Sequence, residues 1–236
     1  MKKIVRSSVL PFLSWVAATP TLWSQASAPA SQGNDFLIIP DVRAGPITRH
    51  WTGADIELAF GILHCRREVR DFSQSEEGDE AGMVYTVYLV YPDTPDELEI
   101  MLGPDGKAVR ARLETKWADI TNPKTGAVER GPVRTPSRWQ SKSGITLGSD
   151  VAKVEQVNGG PFEVMGWETD GGPGQVFDWK GGKIPDSFRV TFNSADQEVY
   201  GRVWGEATTS QSWTGLSNGP WIPKLDLFVS RIDIAL

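Results

Sequence analysis

Gly215-Leu216-Ser217-Asn218-Gly219 has the spacing of a nucleophile elbow, in which a serine on a sharp strand-to-helix turn attacks an acyl carbon. That chemistry needs a helix after the serine and a histidine later in the chain. Pro220 and Pro223 forbid the helix, and both histidines, His50 and His64, come earlier, so the hydrolase pattern is set aside. His50, His64 and Cys65 lack the spacing of a zinc site, and His64 and Cys65, adjacent in a strand-like run, send their side chains to opposite faces. The acidic run Glu76, Glu77, Asp79, Glu80 has the charge for calcium but not the alternating ligands and fixed glycine of a calcium loop, and reads as a solvated charge run. Gly171-Gly172-Pro173-Gly174 has no following Lys-Ser/Thr and is no phosphate loop.

Two features survive this search. Asp170 stands beside Gly171 and Gly172, where bare amides next to a carboxylate either make a turn or hold a ligand; the turn is the preferred reading. Tryptophans recur through the chain: Trp51, Trp117, Trp139, Trp167, Trp179, Trp204, Trp213 and Trp221. A tryptophan favours half-buried places where its N–H finds a partner, so Trp167, Trp179 and Trp204, in strand-like runs, are read first as core. Trp213 and Trp221 lie in a Gly/Ser/Pro-rich stretch, where core and binding roles weigh equally. The candidate ligand-binding set is therefore Trp167, Asp170, Gly171, Gly172, Trp179, Trp213 and Trp221, with no catalytic residue, metal ligand or cofactor assigned. A competing expectation is an enzyme acting on polysaccharide or cell-wall material with Asp170 and Asp178 as paired carboxylates and tryptophan platforms.

The elements that must position these residues are short. Thr52 can cap a helix, Asp55 follows three residues later, Ile56, Ala59 and Phe60 repeat at helical spacing, and Gly61 stops the run. A shift of 98 residues lays Ile47 on Ile145, Thr52 on Asp150, Ile56 on Val154, Ala59 on Val157 and Gly61 on Gly159, which predicts an internal duplication. Strands are predicted over 36–39, 63–72, 83–91, 98–102 and 107–115, the last two joined by a GPDG turn. Further strands are predicted over 162–167, 175–179, 187–192 and 198–204. The end of the chain alternates Leu225, Leu227, Val229 and then Ile232, Ile234, Leu236, a slip at Ser230 that predicts a bulge. Residues 116–138 carry three prolines and read as a connection with one small hairpin.

The chain has 236 residues, 39% hydrophobic and 23% charged, enough for one large domain or two small repeats without staples. Lys2, Lys3 and Arg6, an apolar run from Val9 to Ala18, and the small residues Ala26-Ser27-Ala28 have the order of a cleavable export signal. Cleavage after Ala26 or Ala28 fits equally, and loss of the three cations moves the formal charge from −6 to −9. Such an acidic chain lacks the footprint of a nucleic-acid binder and does not suit anionic lipid. Cys65 is the only cysteine, so intramolecular disulfides and lipid attachment behind the signal are both excluded; a buried, inert thiol is expected.

Trp139, Gly144-Ile145, Gly148, Asn158-Gly159, Phe162, Gly166-Trp167, Asp170, Gly171-Gly172, Trp179 and Gly181-Gly182 resemble a signature of uncharacterised secreted proteins and lipoproteins of bacteria, over residues 139 to 184. The chain departs from it at Glu168-Thr169 and Pro173-Gly174. More remotely it is similar to the repeat of outer-membrane assembly lipoproteins and tandem β-lactamase inhibitor proteins, which implies a protein-binding concave sheet. The expected fold is α+β: two tandem repeats, each a short capped helix on an antiparallel sheet. Their bounds are a signal over 1–28, a lead-in over 29–35, repeats over 36–115 and 139–236, and a connection over 116–138. The expected function is that of a periplasmic or secreted soluble binding protein whose partner is an envelope protein or glycan, with no cofactor, no nucleic acid and no stable membrane insertion.

Overall fold

A computed structural model of the chain describes residues 33–74, 82–121, 126, 128–132, 137–167, 174–194, 212–220 and 222–236. The predicted signal, the acidic run at 76–80, Asp170 to Gly172, the predicted strand over 198–204 and Trp221 lie outside them.

Two eight-residue helices form where cap chemistry predicts them. Helix α1 (Gly53–Phe60) begins at Thr52, whose N–H donates to the Asp55 carboxylate at 2.8 Å while its hydroxyl accepts from the Asp55 N–H, a closed capping box. It ends at Gly61, with φ near +84°. Helix α2 (Val151–Asn158) begins at Asp150, which accepts the Lys153 N–H at 2.7 Å, and ends at Gly159 in the left-handed region. Ile56 and Val154 are the apolar side chains each helix buries fully.

Among the described residues nine strands make one antiparallel sheet. In chain order they are β3 (Cys65–Asp71), β4 (Val84–Val90), β5 (Leu98–Leu102), β6 (Ala108–Glu114), β10 (Glu163–Trp167), β11 (Gly174–Asp178), β12 (Phe188–Ser194), β13 (Ser212–Leu216) and β14 (Leu227–Ala235). Across the sheet they run β13-β10-β11-β12-β14-β6-β5-β4-β3. The short β1 (Leu37–Ile39), β2 (Arg43–Ala44) and β9 (Gln140–Ser141) form a separate three-stranded sheet, and β7 (Trp117–Thr121) pairs with β8 (Val128–Pro132) as the hairpin expected in the connection.

Period-two alternation sends Leu98, Ile100, Ala111, Leu113, Val190, Ile232 and Ile234 into the core that the helices cover. The predicted bulge is present: β14 pairs Arg231 with Thr191 and then Val229 with Phe192, leaving Ser230 as the extra residue. Its hydroxyl donates to the Thr191 carbonyl at 3.2 Å. The opposite face carries a row of charges across the strands. Arg70 lies 3.0 Å from Glu99, and Asp233 accepts a hydrogen bond from Arg112 at 2.7 Å and makes an ion pair with Arg231 at 2.8 Å.

The expectation of an α+β protein of two tandem helix-capped repeats is overturned. The fold is mainly β, and strands from both halves of the chain, β3 to β6 and β10 to β14, belong to one sheet because β6 and β14 pair along five residues, from Arg231↔Glu114 to Ala235↔Arg110. The 98-residue match recorded what two short helices need at their ends, a cap, one buried apolar residue and a glycine stop. It carried no information on strand grouping, which depends on pairs such as Arg112 and Asp233, 121 residues apart.

Candidate functional site

The structure separates the candidates named from sequence. Trp179 is 5% exposed, its indole N–H donates to the Phe188 carbonyl at 3.2 Å, and its ring meets Phe162 edge-on at 5.2 Å. It therefore belongs to the core. Trp167 and Trp213 have their backbones on adjacent strands, Trp167 opposite Ser212 and Trp213 opposite Gly166. Trp213 thus stands in β13, the end strand of the sheet among the described residues, and not in the irregular segment that the surrounding Gly, Ser and Pro suggested. Asp178 is exposed at the end of β11, accepts the Lys180 N–H at 2.6 Å and lies 3.4 Å from the Lys180 ammonium. These contacts, the backbone hydrogen bond first, hold its carboxyl below the usual range, the wrong direction for a general acid.

Ser217 is not poised for attack. It is buried, its hydroxyl accepts the Phe162 N–H at 3.0 Å, and it donates to the Glu155 carboxylate on α2. The elbow-like spacing reflects a turn that ties β13 to β10 and to the helix. His64 sits in a 3-10 turn just before β3, not in the strand, with its ring 5.9 Å from Tyr91.

The glycine-rich signature has a structural job. The Asn158 side-chain N–H₂ donates to the carbonyls of Gly160 at 3.1 Å and Trp179 at 3.0 Å, and its oxygen accepts the Ile184 N–H at 3.4 Å. A Cβ on Gly182 would fall within that amide. Asn158, Phe162, Trp179 and Gly182 therefore clamp the end of α2 onto the turn between β11 and β12.

A different surface has the shape of a binding site. On the helix-covered face the sheet extends past the start of α1, leaving a groove of about 830 Å³ over β3, β4, β5 and the start of β6. Its apolar lining includes Val69, Met83, Val84 and Val109, which are 62%, 46%, 58% and 42% exposed, and its inner wall is Tyr88 and Leu102. Helix α1 can approach this wall because residue 53 is glycine: a Cβ there would run into the Tyr88 ring. Burial and the nearby Glu57 carboxylate, which hydrogen-bonds the phenol, raise the Tyr88 pKa. Half-buried Cys65 lies beside this wall, its thiol 4.0 Å from the Ile56 carbonyl, and burial pushes its pKa up to about 11.

None of these groove residues was singled out from sequence. The run Met83-Val84-Tyr85-Thr86-Val87-Tyr88-Leu89-Val90-Tyr91 is apolar at both parities, as in a strand covered on both sides. Only the length of α1 leaves Val84 uncovered.

No helix among the described residues is long and apolar enough to cross a membrane. Set against known proteins, the chain matches no family model, no curated protein and no solved structure.

Proposed function

We propose that the protein is an exported binding protein that takes an envelope protein or glycan in the groove over β3, β4 and β5. The observation that carries this reading is the exposure of Val69, Met83, Val84 and Val109 together in one concavity of about 830 Å³. Export rests on the order of cations, apolar run and small residues at the start of the chain. The mixture of an apolar floor with the Tyr88 phenol and the Arg67 guanidinium at the wall suits an amphipathic surface better than a fully apolar ligand.

A photoreactive phenylalanine analogue at Val109, inside the groove, should give a discrete covalent adduct in envelope extract. The same analogue at Val128 on β8, which is more open to solvent, should not. Equal labelling at both positions, or none at Val109, removes the groove reading. Trp213→Ala tests the tryptophan-bearing edge: loss of the Val109 adduct in that variant would move the partner's contact surface to β13.

A further inference from the structure

Among the described residues strand β3 ends the sheet, and no strand pairs with its outer side. Its register against β4 decides which backbone groups point outward. The His64 carbonyl accepts from Tyr91 at 2.8 Å, and the Phe72 N–H donates to Met83 at 2.7 Å. Positions 66, 68, 70 and 72 therefore spend their amides on β4, as His64 does its carbonyl, and Arg67, Val69 and Asp71 turn N–H and C=O to the free edge.

The side chains divide the same way. Arg66, Glu68 and Arg70 lie on the charged face and are tied to one another and to Asp93 and Glu99. Arg67 and Asp71, on the groove face, are both exposed, and neither makes an ion pair among the described residues. Between them stands Val69, 62% exposed. A cation and an anion without counter-charges flank an exposed apolar residue at equal spacing on a free edge.

Arg67-Glu68-Val69-Arg70-Asp71 is complementary to its own reverse. We propose that two copies of the chain join through β3, antiparallel about a two-fold axis at Val69, into one continuous sheet. In this register Arg67 faces the other copy's Asp71, Glu68 faces Arg70, and Val69 faces Val69. The residues whose amides point outward become the hydrogen-bonded pairs, so side-chain and backbone requirements select the same alignment. The neighbouring two-fold registers fail on charge: one sets Glu68 against Glu68 and Arg66 against Arg70, the other Arg70 against Arg70, and like charges directly opposite destabilise a strand pair. Charges on an edge strand ordinarily discourage pairing. Here their order discourages every two-fold register centred between Arg66 and Asp71 but one. The pairing also closes the open edge symmetrically, as a two-fold interface requires. It does not depend on the groove having a ligand.

Light scattering of the purified protein during gel filtration should give twice the chain mass. Arg67→Asp and Asp71→Arg, each setting like charges against each other twice per dimer, should each weaken dimerisation at least about tenfold, the effect of roughly 1.4 kcal/mol. The double variant Arg67→Asp with Asp71→Arg restores the complementarity and should restore the dimer. Val69→Lys, which brings two ammonium groups together at the axis, should give a monomer with an unchanged circular dichroism spectrum. A monomeric wild-type protein at high micromolar concentration overturns the proposal. So does a dimer indifferent to Arg67→Asp, or failure of the double variant to recover dimerisation while it remains folded.

Discussion

The side-chain amide of Asn158 occupies the space that a Cβ on Gly182 would fill, and from there it bonds the carbonyl of Trp179 at 3.0 Å. Gly182→Ala must push this buried amide off its partners, at a cost of about 2–3 kcal/mol. Asn158→Ala leaves the Ile184 N–H without its partner and the Trp179 carbonyl with the Gly182 N–H alone, and should cost a similar amount. The double variant should lose less than the two single losses together, because removing the amide makes room for the methyl. Urea denaturation of the four proteins measures this coupling. Strict additivity would mean that the two residues do not share the site.

Asp233 is the hinge of the charge row on the opposite face. Its side chain is 8% exposed and it holds both Arg112 and Arg231, the first itself only 11% exposed. Asp233→Ala leaves a nearly buried guanidinium without this counter-charge and should destabilise by about 3–5 kcal/mol. Glu68→Ala, at the more exposed end of the row, should cost under about 1 kcal/mol. Equal losses in denaturant midpoints would show that burial does not grade the row.

The capping box gives α1 a dependence on acid. Hydrogen bonds from Thr52, the backbone N–H first, hold the Asp55 carboxyl below its ordinary 3.8. A depressed folded pKa contributes stability that is present above the unfolded value and is lost as pH falls through the folded one. Asp55→Asn should therefore be less stable than wild type at neutral pH, with the difference closing below about pH 3.8. Thr52→Ala should cost about 1 kcal/mol at neutral pH. Thermal melts across pH check both.

Cys65 should be a poor nucleophile. Its thiol pKa, pushed up to about 11 by burial first and Glu57 second, leaves little thiolate near pH 8. Alkylation by iodoacetamide at that pH should run roughly a hundred-fold slower than for an unhindered thiol of ordinary pKa, two powers of ten for two pH units. Denaturant should restore the ordinary rate. Rapid labelling of the folded protein would mean that the thiol is exposed and ionised.

The chain's own letters determined the parts that depend on neighbours a few residues away. Thr52 with Asp55, Asp150, Gly61 and Gly159 bound the two helices, Gly103 to Gly106 turn the β5–β6 hairpin, and the slip at Ser230 marks the bulge. Each is settled by cap, turn or alternation chemistry that a local stretch contains in full. Tertiary structure alone decided that β6 and β14 pair and make one sheet. It also decided that Ser217 belongs to the interior, and that Val69 and Val84 stay open while Ile100 is covered. Those outcomes follow from contacts between residues far apart in the chain, with entropic costs and gains that no short window contains. A valine's pattern states that it prefers a strand; whether that strand ends up beneath a helix or beside one depends on where the helix stops.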